Sequence, residues 1–266
     1  MYSRLKERKS TMDTDVNASS PPLVSDPPPT RELLGVQVST LDMRGTVDFI
    51  EKLIAEGRGH VVTTVDSFGL VQAQEDSELR DIYQNCSLAT ADSSGVVWAL
   101  GRKNTPVERV SGVDLVDELC KLSSRAGHRI FLLGSEPGVA ELAAEKLNLK
   151  HPGCNIVGTR HGYFPVEDAD IVAQEVAEFK PDILFVALGI PRQEKFIART
   201  MEITGAKVAM GIGGSLDVFS GRAKRAPKFV QGMKMEWLWR LIQNPSKFSK
   251  VSRLPRFVWL VLRGKS

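Results

Sequence analysis

Six short loops carry the residue types that could do chemistry. They are Thr64-Val-Asp66, Ala91-Asp-Ser-Ser-Gly95, Gly134-Ser-Glu-Pro-Gly138, His161-Gly-Tyr-Phe164, Gly189-Ile-Pro-Arg-Gln-Glu194 and Gly211-Ile-Gly-Gly-Ser-Leu-Asp217. Each follows a short run of β-branched or small apolar residues. Glycine between a strand and a helix lets backbone N–H groups approach a phosphate, and the positive helix end favours the anion. None of the loops is GxGxxG or a P-loop, so any one alone is ordinary turn chemistry. Six with the same placement point to one binding rim.

Other chemistries find little support. Asp13-Thr-Asp15 and Asp168-Ala-Asp170 have the spacing of metal-dependent sugar transferases. The first lies in a Ser- and Pro-rich stretch, and the second opens a helix after a proline, where acids complement the helix dipole. His60, His128, His151 and His161 show no ligand spacing, so no metal is expected. There is no GxSxG nucleophile elbow. Cys86, Cys120 and Cys154 lie far apart without a CxxC, which fits a reducing compartment rather than a disulfide framework.

The elements that must position these loops alternate along the middle of the chain. Candidate strands are His60–Val65, Ser87–Ala91, Arg129–Leu133, Asn155–Gly158, Asp182–Leu188 and Lys207–Met210. Candidate helices between them are Val113–Arg125, Gly138–Leu149, Ile171–Phe179 and Arg192–Thr204. Apolar strands separated by helices predict an α/β fold, a parallel sheet covered on both faces, with ligands bound beyond the carboxyl ends of the strands. A hydrophobic content of 42% in 266 residues is ordinary for a globular core.

The ends differ from the middle. Residues 1–30 are rich in Ser, Asp and Pro and read as a disordered extension; the basic start lacks an apolar stretch, so no secretory signal is expected. Residues 31–227 form the expected catalytic domain and 228–266 an appendage. Of 35 Lys or Arg and 32 Asp or Glu, nine and one fall in 228–266, leaving 26 against 31 in residues 1–227. Such asymmetry points to an anionic partner of the tail: a membrane surface, a nucleic acid or a phosphate-rich substrate. Its longest apolar run, Phe257–Leu262, is six residues, far short of the roughly 20 that span a bilayer. Lys247, Lys250, Arg253 and Arg256 recur every three residues beside Phe248, Val251, Leu254 and Phe257. That is a basic stripe next to an apolar one, with Pro255 expected to interrupt it and Trp237, Trp239 and Trp259 suited to headgroup depth. Trp237 and Leu241 are expected to face protein. Because the strand–helix series is complete by about residue 220, removal of 247–266 is expected to leave a folded core.

Taken in order, the segments resemble the WecG/TagA/CpsF family of bacterial glycosyltransferases, from about Leu34 to Arg256. The most specific pieces are Arg109-Val-Ser-Gly-Val-Asp-Leu115, Phe131-Leu-Leu-Gly-Ser-Glu-Pro-Gly-Val-Ala-Glu141, His161-Gly-Tyr-Phe164, Pro181-Asp-Ile-Leu184 with Ala187-Leu-Gly-Ile-Pro-Arg-Gln-Glu194, and Arg225-Ala-Pro227 with Glu236-Trp-Leu-Trp-Arg-Leu241. The resemblance implies a Rossmann-like domain with a C-terminal appendage that completes the site and touches the cytoplasmic face of the membrane. It implies an inverting, metal-independent transfer of a sugar, typically N-acetylmannosamine, from a UDP donor to a sugar on a polyprenyl diphosphate, in cell-surface polysaccharide synthesis. No cofactor and no nucleic-acid partner are implied, and self-association is left open.

Residue by residue, the family's Thr-x-Asn falls on Thr64-Val-Asp66, with Asp in place of Asn, and its catalytic Asp falls on Asp92, where Ser93 replaces a glycine. Gln193 matches the family's Gln, Tyr163 and Asp217 match nucleotide-associated positions, and Arg240 matches an appendage Arg; the resemblance implies that Thr64, Gln193 and Arg109 act in catalysis with Asp92. Lys247 and Lys250 stand where Arg is common. The implied transfer needs a base, for which Asp92 is the candidate and Asp66 the competitor; the bland alternative for Asp92 is the N-cap of a helix from Ser94. The departing diphosphate needs cations or helix N-termini, and Arg109, Arg222, Arg225, Arg240, Lys247 and Lys250 are the candidates. Gly134 and Gly162 are candidates for close backbone approach to the substrate. Two other readings compete: an inactive nucleotide- or lipid-phosphate-binding protein of the same fold, and a NAD-type oxidoreductase. The second lacks GxGxxG after the first strand and an acid about 20 residues on.

Overall fold

A computed structural model describes residues 26–227, 239 and 252–264 of the chain. Two antiparallel strands, β1 (Thr30–Leu33) and β2 (Val36–Ser39), precede the main sheet. The tight turn between them puts Leu34 and Gly35 at φ 53° and 82°. The main sheet comprises β3 (His60–Val65), β4 (Leu88–Ala91), β5 (Ile130–Gly134), β6 (Ile156–Arg160), β7 (Ile183–Ala187) and β8 (Val208–Gly211). Its order is β4-β3-β8-β7-β5-β6, with every pairing parallel. This is the expected parallel sheet flanked by helices. The interior strands β5 and β7 are buried at every position, as a sheet covered on both faces requires. Edge strand β6 is only half-buried throughout.

Helices α1 (Met43–Ala55), α5 (Gly112–Ala126), α6 (Val139–Lys150) and α9 (Ser215–Phe219) supply one face's core, including Ile50, Leu119, Leu147 and Leu216. On a second cluster, α7 (Ala169–Glu178) and α8 (Arg192–Thr204) pack Val172, Val176, Phe196 and Ile197 against Phe131, Leu184 and Val186. Chain signals set the helix ends locally. Asp42 and Ser111 accept from the backbone at the starts of α1 and α5, and Gly127 and Gly205 take left-handed φ after α5 and α8.

A third cluster gathers the hairpin, α2 (Ser67–Ala73), α3 (Ser77–Asn85), α4 (Ser94–Arg102) and a closing helix α10 (Leu254–Leu262). Phe257 and Leu260 of α10 are buried in it with Leu33, Val65, Leu70 and Val96. Pro255 sits in the first turn of α10, where a missing N–H costs nothing, and the helix begins at Leu254 after turn residues 252 and 253, in keeping with the expected break in the stripe. One expectation changes here. Phe257 faces protein, so removing 247–266 would strip apolar side chains from the core. Arg253 and Arg256 of the expected basic stripe both pair with Glu75. Residues 1–25, where disorder was expected, and Trp237, Leu241, Phe248 and Val251 lie outside the described residues, and the strand β1 already begins at Thr30.

Candidate functional site

At the carboxyl end of β4, Asp92 leaves the sheet with its backbone N–H bonded to Val65 O at 3.1 Å. Its side chain does not cap α4. That position belongs to Ser93, whose Oγ accepts from Val96 N at 3.3 Å. Asp92 Oδ1 instead accepts from the N–H of Gly112, the first residue of the 15-residue helix α5, at 3.0 Å. A carboxylate held at a helix N-terminus meets both a donor and the positive end of the dipole. The carboxylate orientation is therefore fixed by two elements that are distant in sequence.

Asp66, the competing base, has a local task. It is the N-cap of α2, with Oδ1 accepting from Gly69 N at 2.7 Å. The two loops are stitched together by Ser93, whose Oγ meets Ser67 N at 3.2 Å and Ser67 Oγ at 3.1 Å. Gly95 makes this closeness possible, since a Cβ there would stand 2.2 Å from Ser67 Oγ. Both departures from the family pattern, Asp66 and Ser93, thus serve as helix caps.

Thr64 and Gln193 are buried and bind backbone. Thr64 Oγ1 donates to Gly211 O at 2.9 Å, and Thr64 Cγ2 lies 3.4 Å from where a Cβ on Gly112 would be. Gln193, 1% exposed, accepts from Gly189 N at 3.1 Å and Gly213 N at 3.0 Å through Oε1. Its Nε2 donates to Glu194 Oε1 at 2.9 Å, which fixes the amide the right way round. Gln193 therefore clamps the loops after β7 and β8 together. These contacts link Asp92, Gly112, Thr64, Gly211, Gln193, Gly189 and Gly213 into one continuous rim.

On the far side of the rim, Gly134 has φ 135° and no room for a Cβ, which would lie 2.4 Å from Ala187 O. Gly162 packs on it, a Cβ there coming within 3.0 Å of Gly134 Cα, and Gly162 N donates to Ser135 O at 2.8 Å. Both glycines serve close approach of backbone to backbone. Tyr163 projects into solvent at 65% exposure. Asp217 lies half-buried in the short α9, its carbonyl accepting from Ala223 N at 2.9 Å.

The cations fall into two groups. Arg222 pairs with Glu136 of the loop after β5. Arg225 pairs with Asp114 Oδ2 at 2.7 Å in the first turn of α5, two residues after Gly112. Burial alone would raise the Asp114 carboxyl, but the Arg225 guanidinium, the Ser111 hydroxyl at 2.5 Å and the charge of Arg109 together hold it below the usual carboxylate value. Asp114 was missed in the sequence, although Ser111-x-x-Asp114 has capping-box spacing that marks the start of a helix. Arg240, Lys247 and Lys250 lie outside the described residues. Trp239 returns to the domain, donating from Nε1 to Lys224 O at 3.2 Å. Among the described residues, no three His, Cys, Asp or Glu side chains gather as metal ligands.

The chain is similar to two named enzymes over most of its length. It is 34% identical over 219 residues, 82% of this chain and 85% of the relative, to the N-acetylglucosaminyldiphosphoundecaprenol N-acetyl-beta-D-mannosaminyltransferase of Bacillus subtilis (strain 168). It is 30% identical over 237 residues, 88% and 92% of the two chains, to the protein of the same name from Staphylococcus aureus (strain MRSA252). A family description, Glycosyl transferase WecG/TagA/CpsF family, matches residues 31–266 and takes in the whole rim. The chain belongs to the WecG/TagA/CpsF family and is a glycosyltransferase.

Proposed function

We propose that the chain moves a sugar, N-acetylmannosamine or a related hexose, from a UDP donor to a polyprenyl-diphosphate-linked sugar, inverting the anomeric carbon without a metal. The names of the two relatives support the acceptor and the sugar class. The observation that carries the reading is the Asp92 carboxylate, oriented by Gly112 N–H at a junction of β3, β4 and the α5 N-terminus.

In this reading Asp92 accepts the proton of the acceptor hydroxyl as its oxygen bonds to the anomeric carbon. The bond from that carbon to the diphosphate breaks, and UDP leaves with the electron pair. One in-line displacement inverts the centre. Charge building on the diphosphate is met by cations; Arg225, paired with Asp114, and Arg109, whose charge reaches Asp114, are described candidates, with Arg240, Lys247 and Lys250 of the appendage. Thr64 and Gln193 act by holding the loops rather than by touching the reacting atoms. Tyr163, Arg222 and Asp217 are candidates for the nucleotide side.

Among the described residues no helix is long and apolar enough to cross a membrane. The lipid-linked acceptor is then met at the inner membrane face by the basic appendage, residues 228–266. A screen of UDP-sugars against a short-chain lipid-diphosphate sugar tests the proposal, with free UDP and the product anomer as readouts. UDP release with one donor and acceptor together, continuing in excess EDTA, is expected. Binding of UDP without release under any combination would instead identify an inactive binding protein.

A further inference from the structure

We propose that α4, and not the C-terminal appendage alone, forms part of the surface that docks on an anionic lipid bilayer, through Trp98 and Arg102. The proposal rests on the reading that the appendage meets the membrane, and it adds a second element from the middle of the chain.

The two helices are neighbours in one cluster. A Cβ on Gly95 of α4 would lie 3.4 Å from Phe257 Cε1 of α10. Gly95, Trp98 and Arg102 stand at i, i+3 and i+7, along one side of α4, so the stripe that begins against α10 continues into Trp98 and Arg102. On α10, Phe257 and Leu260 turn inward, while Val258, Trp259 and Leu262 turn out, the last two at 48% and 57% exposure. Trp98 is 38% exposed.

Each exposed indole carries its own guanidinium. Arg102 lies over the Trp98 ring at 5.8 Å, and Arg263 lies over the Trp259 ring at 4.2 Å. An indole body with a cation at its face suits the boundary between acyl chains and headgroups. Neither α4 nor α10 contains an Asp or Glu. Two adjoining helices with exposed apolar side chains, a Trp–Arg pair each and no carboxylate of their own complement a negatively charged leaflet, with Glu75 beside α10 already paired to Arg253 and Arg256.

The test is co-sedimentation of the full chain with phosphatidylglycerol vesicles and with phosphatidylcholine vesicles, comparing Trp98→Ala, Arg102→Ala, Trp259→Ala and Arg263→Ala. Loss of one basic side chain near an anionic surface is expected to weaken partitioning about fivefold. Arg102→Ala should therefore match Arg263→Ala on phosphatidylglycerol and change nothing on phosphatidylcholine. Trp98→Ala should lose binding on both. All four variants should keep the wild-type circular dichroism and transfer sugar to a water-soluble acceptor analogue at the normal rate. If the α10 variants lose binding and the α4 variants do not, the role of α4 is overturned and the appendage reading stands. If the unaltered chain binds neither vesicle, the appendage reading falls and takes this one with it. A change in sedimenting mass of the α4 variants without loss of vesicle binding would mark an interface between copies, and would also overturn the proposal.

Discussion

Gly112 N–H donates to Asp92 Oδ1 at 3.0 Å, so the helix that begins α5 holds a carboxylate at the end of β4, twenty positions earlier. The bond would survive replacement of Asp92 by Asn, because an amide oxygen accepts as a carboxylate oxygen does. What Asn cannot do is take a proton. This separates the structural from the chemical duty of one side chain.

Thr64 offers a different separation. Thr64→Val keeps the shape but leaves Gly211 O without the hydroxyl, which is expected to cost about 1–3 kcal/mol. Thr64→Ser should restore most of that. If Thr64 acts by holding the β8 loop, turnover and melting temperature should fall together in Thr64→Val and recover together in Thr64→Ser. Lost turnover in Thr64→Ser with full stability would instead give Thr64 contact with substrate.

Phe257→Ala should destabilise the whole domain by about 3–5 kcal/mol, the range for emptying a buried aromatic site. The side chain is 1% exposed among Val65, Leu70 and Val96. Urea unfolding monitors this directly. An unchanged midpoint would detach α10 from the core and restore the picture of an independent appendage.

The acid limb of stability should begin at His60. Burial at 1% exposure, then the nearby charge of Arg58, lower its pKa from 6.5, against an opposing pull from Glu56. The unfolded chain therefore binds the proton more readily. Stability is full above about 6.5 and declines as pH falls toward the lower folded value. Melting curves between pH 8 and about 5 should show the decline in the native chain and less of it in His60→Gln. Equal slopes in the two proteins would remove His60 from the account.

How much of this was legible depended on whether the cause was local. β3 and α8 occupy the spans expected from sequence, His60–Val65 and Arg192–Thr204. A β-branched run and a terminating Gly205 are self-contained signals. The β1–β2 hairpin was not foreseen because its turn is Leu34-Gly35 rather than Asn-Gly or Asp-Gly, and Leu34 takes a φ of 53°. The loops of the rim were found from strand-end glycines. Their joinery was not, since Ser93 to Ser67, Gln193 to Gly213 and Thr64 to Gly211 are contacts between separate elements. Phe257 looked like one residue of a membrane stripe because its period of three said nothing about Val65, Leu70 and Val96, the distant core residues it is buried with. Asp92 was expected either to act as base or to cap α4, and Ser93 holds that cap.

The measurement closest to the central claim is single-turnover transfer from a UDP-sugar to a polyprenyl-diphosphate-linked sugar, compared between the native chain and Asp92→Asn at matched melting temperature. A positioned base contributes about 10²–10⁴-fold. The account predicts a loss of at least about 10²-fold in the transfer step, with donor binding and fold intact because the Gly112 contact persists. Transfer at the native rate by Asp92→Asn would contradict it.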